Sequence, residues 1–182
     1  MDKQLIDNLI IQTAAGDMDS FEKLYGQMRK PVFAYACTIL KNKERAEDIL
    51  QDTFILIFQK ARQYKGANST AWVYSITRNL CYDSFKKDRR EIAVDEFYED
   101  DQPDGGLEIE NEIVDSILIN SALRCLDMID RQIVFLYAVE GFKHREIAGV
   151  LGIPLGTILW RYRRALKKLK NIILESDIKH EK

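Results

Sequence analysis

The sequence predicts an all-α fold of two small helical domains, an N-terminal helical bundle and a C-terminal four-helix domain, joined by a flexible acidic linker. Apolar residues recur at helical spacing in both halves, and no segment alternates long enough to predict a sheet. Only three prolines and nine glycines interrupt the 182 residues. Between Asp95 and Glu112 lie nine acids and no lysine or arginine, around the pair Gly105-Gly106, which is typical of a linker. The predicted parts are a first domain at 1–92, a linker at 93–110, a second domain at 111–174 and a tail at 175–182.

Four helices are expected in the first domain. Asp19 or Ser20 would cap the second helix, with Glu22 in its first turn, and "YKGANS" breaks the pattern before the fourth. The inward-facing residues are Leu5, Ile6, Leu9 and Ile10 on the first helix; Phe21, Leu24, Tyr25, Met28, Val32, Tyr35, Ile39 and Leu40 on the second; and Ala46, Ile49, Leu50, Thr53, Phe54, Ile57 and Phe58 on the third. The fourth helix is predicted from about Thr70 to Lys87.

The second domain is predicted to contain a helix-turn-helix. Helices near Asn111–Leu126 and Asp130–Val139 precede the short helix "HREIAGVL". Gly152-Ile153-Pro154 then forms a tight turn, and a long basic helix continues to about Leu174. A short helix, a turn containing glycine and a second helix form the motif that places its second helix in the DNA major groove.

The last helix separates its basic residues from its apolar residues. Six of the ten residues from Arg161 to Lys170 are basic, although the net charge of the chain is −2. A helical wheel places Leu155, Ile158, Leu159, Tyr162, Ala165, Leu166 and Leu169 inward, and Thr157, Trp160, Arg161, Arg164, Lys167 and Lys168 outward. A basic arc is often only a solvated face. Because Trp160 lies among the charges and the motif projects this helix outward, we favour DNA binding.

The third helix carries an acidic face with an apolar centre. Glu47, Asp48, Gln51 and Asp52 share this face, and Ile55 projects from its middle. A dry centre inside a polar rim is typical of a protein-docking surface. The alternative is a solubilising face with one stray apolar residue.

Aromatic and basic residues alternate in the segment that follows the third helix. The aromatic residues are Tyr64, Trp72, Tyr74, Tyr82 and Phe85, and the basic ones are Lys65, Arg78, Lys86, Lys87, Arg89 and Arg90. Rings that stack on bases, mixed with cations that meet phosphates, suit single-stranded nucleic acid. For Trp72 and Ile76 core packing is the better interpretation, whereas for Tyr64, Asn79 and the "KGANS" loop a surface position is.

No pattern of an active site or of a cofactor site is present. The two histidines match no metal-ligand spacing, and the sequence has no Gly-rich phosphate loop and no nucleophile elbow. We therefore expect a protein that is not an enzyme and that takes no metal, cofactor or small-molecule substrate. Cys37, Cys81 and Cys125 are widely spaced, and no signal peptide or membrane span is evident. These features predict a cytoplasmic protein without direct membrane insertion.

Three motifs together resemble one family. "AEDILQDTF", "AWVYSITRN" and "EIAGVLGIPLGT…RYRRA" are similar, in order and spacing, to bacterial sigma-70 family factors of the extracytoplasmic function (ECF) group. The resemblance covers roughly Ile10 to Lys170 apart from the linker. It implies an alternative sigma factor that binds core RNA polymerase, recognises the −35 promoter element with its second domain and opens the −10 element with its first. It also implies an anti-sigma factor as a partner.

The resemblance assigns roles to particular residues. The acidic face of the third helix falls where the family meets the β′ clamp helices of the polymerase, and the β flap is a further expected contact. The implied −10 residues are Tyr64, Lys65, Ala67, Asn68, Arg78, Asn79, Lys86 and Lys87. The implied −35 residues are Thr157, Trp160, Arg161, Arg164, Lys167 and Lys168.

The chain departs from the family pattern at three places. Pro154 replaces a frequent capping serine, and Ile129-Asp130 replaces a common Leu-Pro. Leu159-Trp160 stands where a polar pair usually follows Gly-Thr-Val, so one habitual DNA contact is lost and Trp160 would touch a thymine methyl or a sugar instead. The alternative function is a stand-alone helix-turn-helix regulator whose N-terminal bundle serves as a sensor or dimerisation domain.

Overall fold

The computed structural model describes residues 2–66, 68–92 and 125–180, with side chains up to residue 86 and, in the second part, up to residue 172. The chain divides into two compact units, Met1–Gly106 and Leu107–Lys182. All the regular structure in the described ranges is helical, in agreement with the predicted all-α class. No helix in these ranges has both the length and the apolar character needed to cross a bilayer.

The described part of the first unit, residues 2–66 and 68–92, contains four helices and a short 3₁₀ turn. They are α1 (Lys3–Ala14), α2 (Met18–Leu40), α3 (Lys43–Lys60), the 3₁₀ turn Ala61–Gln63, and α4 (Ser69–Ile92). The long α2 packs against the other three helices. Its core includes the buried Leu24, Met28 and Val32, and the ring of Tyr35 meets that of Tyr74 edge-on at 5.1 Å. The predicted apolar stripes supply most of this core.

Aspartate or asparagine opens each of these helices, because their side chains satisfy backbone N–H groups that have no partner within the helix. The Asp2 carboxylate accepts from the N–H of Gln4 at 3.0 Å, and Asn42 accepts from Arg45 at 2.9 Å. Asn68 accepts from Ala71 at 3.0 Å at the start of α4. Each such cap stabilises its helix by about 1 kcal/mol.

The start of α2 differs from the prediction. The cap is Asp17, whose carboxylate accepts from the N–H groups of Asp19 at 3.0 Å and Ser20 at 3.4 Å. Gly16, with a φ of 97°, turns the chain immediately before this cap. Ser20 lies within the helix, and its hydroxyl donates to Asp17 at 2.6 Å. The prediction placed the cap next to the first apolar residue, Phe21, and so missed the turn of helix before it.

The second unit contains the predicted helix-turn-helix. Its helices are α5 (Met128–Val134), which continues as a π-helical turn over Phe135–Val139, then α6 (His144–Leu151) and α7 (Leu155–His180). The helix predicted near Asn111–Leu126 falls outside the described residues, apart from 125 and 126, which are not helical. Helix α7 extends to His180, beyond the predicted end near Leu174, because no glycine or proline interrupts this stretch.

The core of the second unit is formed by one narrow face of α7 and the helices before it. Ile158 and Ala165 of α7 are completely buried, as are Ile133 and Ile147. Tyr162 and Leu169 pack against Leu126, Val134 and Ala165. Leu155 and Leu166 were predicted to face inward, but they are 36% and 44% exposed. The inward arc is therefore narrower than the helical wheel indicated.

The two buried cysteines are expected to be inert in the folded protein. Burial raises the pKa of Cys37 and of Cys81 to about 12, whereas Cys125 is exposed. The thiolate is the reacting form, so iodoacetamide at pH 8 should label one cysteine of the native chain and all three after unfolding. Mass spectrometry of the labelled peptides measures this. Rapid native labelling of Cys37 or Cys81 would contradict the described core.

Candidate nucleic-acid and protein-docking surfaces

The acidic patch of α3 consists of Glu47, Asp48, Gln51, Asp52 and Ile55. All five side chains are exposed, and Ile55 is 53% exposed at the centre. The opposite face of the same helix buries Ala46, Ile49, Thr53, Phe54 and Ile57 in the core. Because α3 is anchored along that face, the patch has a fixed position on the surface of the first unit. This geometry suits a protein partner with a complementary basic and apolar face.

An apolar groove lies beside the acidic patch and shares Gln51 and Ile55 with it. Its walls come from α2 and α3 and consist of Met18, Phe21, Tyr25, Gln51, Phe54, Ile55, Phe58 and Gln59. The ring of Phe21 meets that of Phe58 at 5.2 Å, and the ring of Tyr25 meets that of Phe54 at 4.7 Å. The helical periodicity predicted core positions for Phe21, Tyr25 and Phe58. These three aromatic residues lie at the edges of the apolar stripes of α2 and α3, which are therefore wider than a buried face requires. This extra width is the sequence signal that apolar residues continue to the surface.

Helix α1 holds the loop that precedes α4. The Tyr64 hydroxyl donates to the Asp7 carboxylate, and the Ser69 hydroxyl donates to the carbonyl oxygen of Lys3 at 3.2 Å. The rings of Tyr64 and Trp72 lie 5.2 Å apart. Burial, and then the Asp7 bond, raise the pKa of Tyr64 well above its usual value. Tyr64 was predicted at the surface, but it is half-buried, because a partner on α1 is invisible in the local pattern.

The predicted −10 residues that the structure describes lie in the loop before α4 and on α4 itself. Lys65, Asn79 and Lys86 are exposed, and Lys86 pairs with Asp83 at 2.9 Å. The guanidinium of Arg78 lies over the ring of Tyr82 at 4.5 Å. Ala67 is outside the described residues, and the side chain of Lys87 is not described. Trp72 and Ile76 are half-buried, consistent with the packing role expected for them.

The helix-turn-helix is fixed at three points. The N–H of Lys143 donates to the Glu146 carboxylate at 2.7 Å, which closes the start of α6. Gly152 ends α6 in the left-handed conformation, with a φ of 64°, a conformation that favours glycine. The His144 ring lies 4.8 Å from the Tyr162 ring of α7. The turn therefore holds the start of α7 at a defined angle, with Gly156 and Thr157 exposed.

The exposed face of α7 has fewer unpaired cations than the sequence indicated. Trp160 is 58% exposed, and Thr157, Lys167 and Lys168 are exposed. Arg161 and Arg164 differ from the prediction, because their side chains are only 22% and 34% exposed. The helical wheel could not reveal this, since the partners of both arginines lie at the start of α5 and not on α7.

Two aspartates at the start of α5, its N-cap Asp127 and Asp130, bind both arginines, and we call these four residues the arginine clamp. Asp130 is completely buried and accepts from Arg161 Nη1 at 2.8 Å and from Arg164 Nη2 at 2.6 Å. Asp127 caps α5 through the N–H of Asp130 at 2.8 Å and also accepts from both guanidinium groups. Burial by itself raises the pKa of Asp127, but the backbone bond and the two arginines outweigh it and hold that pKa below its usual value.

Two parts of the second surface were missing from the predicted set. Arg163 is an exposed cation of α7 next to the predicted outward arc, and it was omitted because it lies at the margin of that arc. The carboxylates Asp127 and Asp130 were also missed. Asp130 was predicted to begin a helix and was noted as a departure from a family pattern, and neither observation gave a reason to pair it with a residue more than thirty positions later.

Two family models match the chain. Residues 24–91 match Sigma-70 region 2, and residues 116–169 match Sigma-70 region 4. The ECF RNA polymerase sigma factor EcfG of Rhodopseudomonas palustris is 30% identical over 77% of this chain and 77% of its own length. The ECF RNA polymerase sigma factor SigE of Mycolicibacterium smegmatis is 31% identical over 88% of this chain, which spans 65% of the length of that relative. The sigma factor RpoE of Bartonella quintana, solved in complex with the anti-sigma factor NepR, superimposes with a TM-score of 0.68 at 26% identity, covering 84% of this chain and 96% of that one.

Proposed function

Since the chain belongs to the ECF group of the sigma-70 family, we propose that it is an alternative sigma factor that binds core RNA polymerase and directs promoter-specific transcription initiation. The observation that carries the proposal is that one chain joins a region 2 unit, with an exposed acidic patch, to a region 4 unit, with an exposed recognition helix. Proteins of this family are initiation factors and not enzymes. All chemistry would belong to the polymerase.

The acidic patch and the adjoining groove support docking to the polymerase. A partner surface with an apolar knob can enter beside Ile55, while its cations meet Asp48 and Asp52 at the rim. The β′ clamp helices are the proposed partner of this surface, and the β flap is the proposed partner of the second unit.

The loop of residues 64–68 and the exposed side of α4 support recognition of the −10 element. Lys65 and Lys86 can meet phosphates, and Asn79 can form hydrogen bonds with the edge of an unpaired base. Tyr64 holds the loop in place through its hydrogen bond to Asp7 and its ring contact with Trp72. Capture of a flipped base on such a surface offsets the few kcal/mol that unstacking costs, so promoter opening requires no catalytic residue.

The helix-turn-helix supports recognition of duplex −35 DNA by the first turns of α7. Thr157 and Trp160 face the base edges in this arrangement, and Lys167 and Lys168 face a phosphate strand. Arg161 and Arg164 stay within the proposed −35 surface, but their charges are already compensated by the clamp.

We expect the two lysines to determine the salt dependence of promoter binding. Replacing Lys167 and Lys168 with alanine should reduce the slope of log K against log salt by about 1–2, because each phosphate contact contributes about 0.9. The measurement is a salt titration of holoenzyme binding to a −35 duplex. The matched control is Arg164→Ala, whose guanidinium is already paired and should change the slope much less. Equal slope changes in the two variants would contradict this assignment.

Two further expectations depend on the family. We propose an anti-sigma factor as the inhibitor, as in the solved complex of the Bartonella quintana relative. We also propose a cytoplasmic location, where core polymerase and promoter DNA are available.

In vitro transcription tests the proposed function directly. The purified chain, free of any inhibitor, is mixed with core polymerase and a genomic promoter library, and transcript starts are mapped. Starts that share −35 and −10 elements and depend on the chain support the proposal. Sequence-specific duplex binding without polymerase, combined with no initiation, would instead support a stand-alone regulator.

A further inference from the structure

The arginine clamp extends to the most exposed aromatic residue of the recognition helix. The guanidinium of Arg164 lies over the Trp160 indole at 4.8 Å, while Asp130 accepts from Arg164 Nε at 3.2 Å and from Nη2 at 2.6 Å. The buried carboxylate of Asp130 therefore holds one edge of the guanidinium, and the face of the guanidinium lies against the indole ring of Trp160. Fixing an arginine side chain in one conformation costs conformational entropy, and the hydrogen bonds to the carboxylates offset this cost.

This support determines how Trp160 is presented. The indole is 58% exposed and lies on the same side of α7 as Arg164, one turn ahead of it. Stacking on a fixed cation restricts the ring to one orientation. An exposed ring in a fixed orientation is suited to shape-dependent contact, whereas an exposed ring that rotates freely is not.

The position of Trp160 identifies the feature of DNA that it would meet. It is the sixth residue of α7, within the first two turns that approach base edges in helix-turn-helix proteins. An indole face offers an apolar surface without a hydrogen-bond acceptor. The apolar group at base edges in the major groove is the C5 methyl of thymine.

We propose that Trp160 recognises a thymine methyl in the −35 duplex and that Asp130 is a positioning residue, which acts through Arg164 to hold the indole in place. This inference depends on the proposed function. It separates the charge of the recognition helix into two roles: Lys167 and Lys168 contact phosphate, and Arg164 orients a specificity residue. Asp127 supports the same guanidinium from the exposed side at 2.5 Å.

The test uses the full chain with core polymerase and a −35 duplex selected by this holoenzyme from a randomised pool. Each thymine of the selected element is replaced singly by deoxyuridine, which removes only the methyl group. At one position the wild type should lose about four-fold in affinity, the value of one buried methyl group. In Trp160→Ala the loss should disappear, so that thymine and deoxyuridine bind equally.

Arg164→Lys is the deciding variant for the positioning role, because it keeps the charge but not the planar fork. It should reduce the methyl effect to less than two-fold, and Asp130→Asn should do the same if thermal unfolding shows that it folds. Lys167→Ala is the control: it should weaken binding to all the duplexes while the four-fold methyl effect remains.

The outcomes distinguish this inference from the proposed function. If holoenzyme selects no −35 sequence at all, the proposed function fails. If it selects one, but the wild type shows no methyl effect at any thymine, or Trp160→Ala or Arg164→Lys retains the full effect, only the present inference is overturned.

Discussion

Replacing Asp48, Asp52 and Ile55 together with alanine is expected to abolish co-purification of the chain with core polymerase. All three side chains are on the exposed face of α3, so the substitutions remove an apolar centre and two rim charges without disturbing the core. A central apolar anchor in such a surface contributes about 2 kcal/mol or more, and the combined loss should weaken binding by at least about 100-fold. Alanine favours helix, so the circular dichroism spectrum should be unchanged.

The matched control for this variant is an exposed isoleucine outside the patch. Ile11 of α1 is 54% exposed and Ile55 is 53% exposed, so Ile11→Ala and Ile55→Ala remove equal exposed apolar surface. Ile55→Ala alone should reduce polymerase binding by about 30-fold or more, and Ile11→Ala should leave it unchanged. Co-purification of the triple variant at the wild-type level would exclude the acidic patch as the docking surface.

Replacing Lys65 and Asn79 with alanine is expected to reduce transcription from a duplex promoter by about 30-fold to 100-fold, because two polar contacts of about 1 kcal/mol or more each are lost. Both residues lie on the exposed surface formed by the loop and α4, where the proposed −10 strand would be held. The proposed contact of Asn79 with a base edge would form only as the bases separate, and Lys65 would hold the backbone of the separated strand, so their loss should raise the cost of opening more than the cost of polymerase binding. Permanganate reactivity of −10 thymines measures the opened fraction.

A premelted promoter separates opening from docking. On a template with mismatches through the −10 region, the Lys65→Ala and Asn79→Ala double variant should recover most of its activity, because unstacking is no longer required. Lys23→Ala, an exposed lysine of α2, is the control and should behave as wild type on both templates. Equal defects of the double variant on duplex and premelted DNA would contradict a role in opening.

Most of the fold could be predicted from the local sequence, because helical periodicity and helix-breaking residues depend only on neighbouring positions. Gly152 and the apolar residues around it predicted the turn between α6 and α7, and the structure has Gly152 in the left-handed conformation. The cap of α2 was missed because aspartates at 17 and 19 and a serine at 20 are all good caps. Which of them is used depends on the turn at Gly16, which periodicity does not report.

The exposure of a surface residue was predicted correctly where it depends on its own helix alone. It was predicted wrongly where the residue binds a partner that is distant in the sequence. Ile55 stands exposed among acids of its own helix, and the helical wheel placed it correctly. Tyr64 and Arg164 were placed too far outward, because Asp7 and Asp130 lie in other helices. A helical wheel contains one helix only. Ion pairs and hydrogen bonds between helices are therefore absent from it.

The hydrogen bonds between α1 and the segment before α4 have a consequence for recombination between related genes. Tyr64 donates to the carboxylate of Asp7, Ser69 donates to the carbonyl oxygen of Lys3, and Arg62 donates to the carbonyl oxygen of Ala14. A chimaera can take its first helix from a relative without a carboxylate opposite Tyr64. The loop before α4 would then lose the hydrogen bond that supports it, even where the residues of the two cores match. Recombination between relatives is thus expected to keep its breakpoints outside the interval from Lys3 to Ser69, so that this interval is inherited as one block.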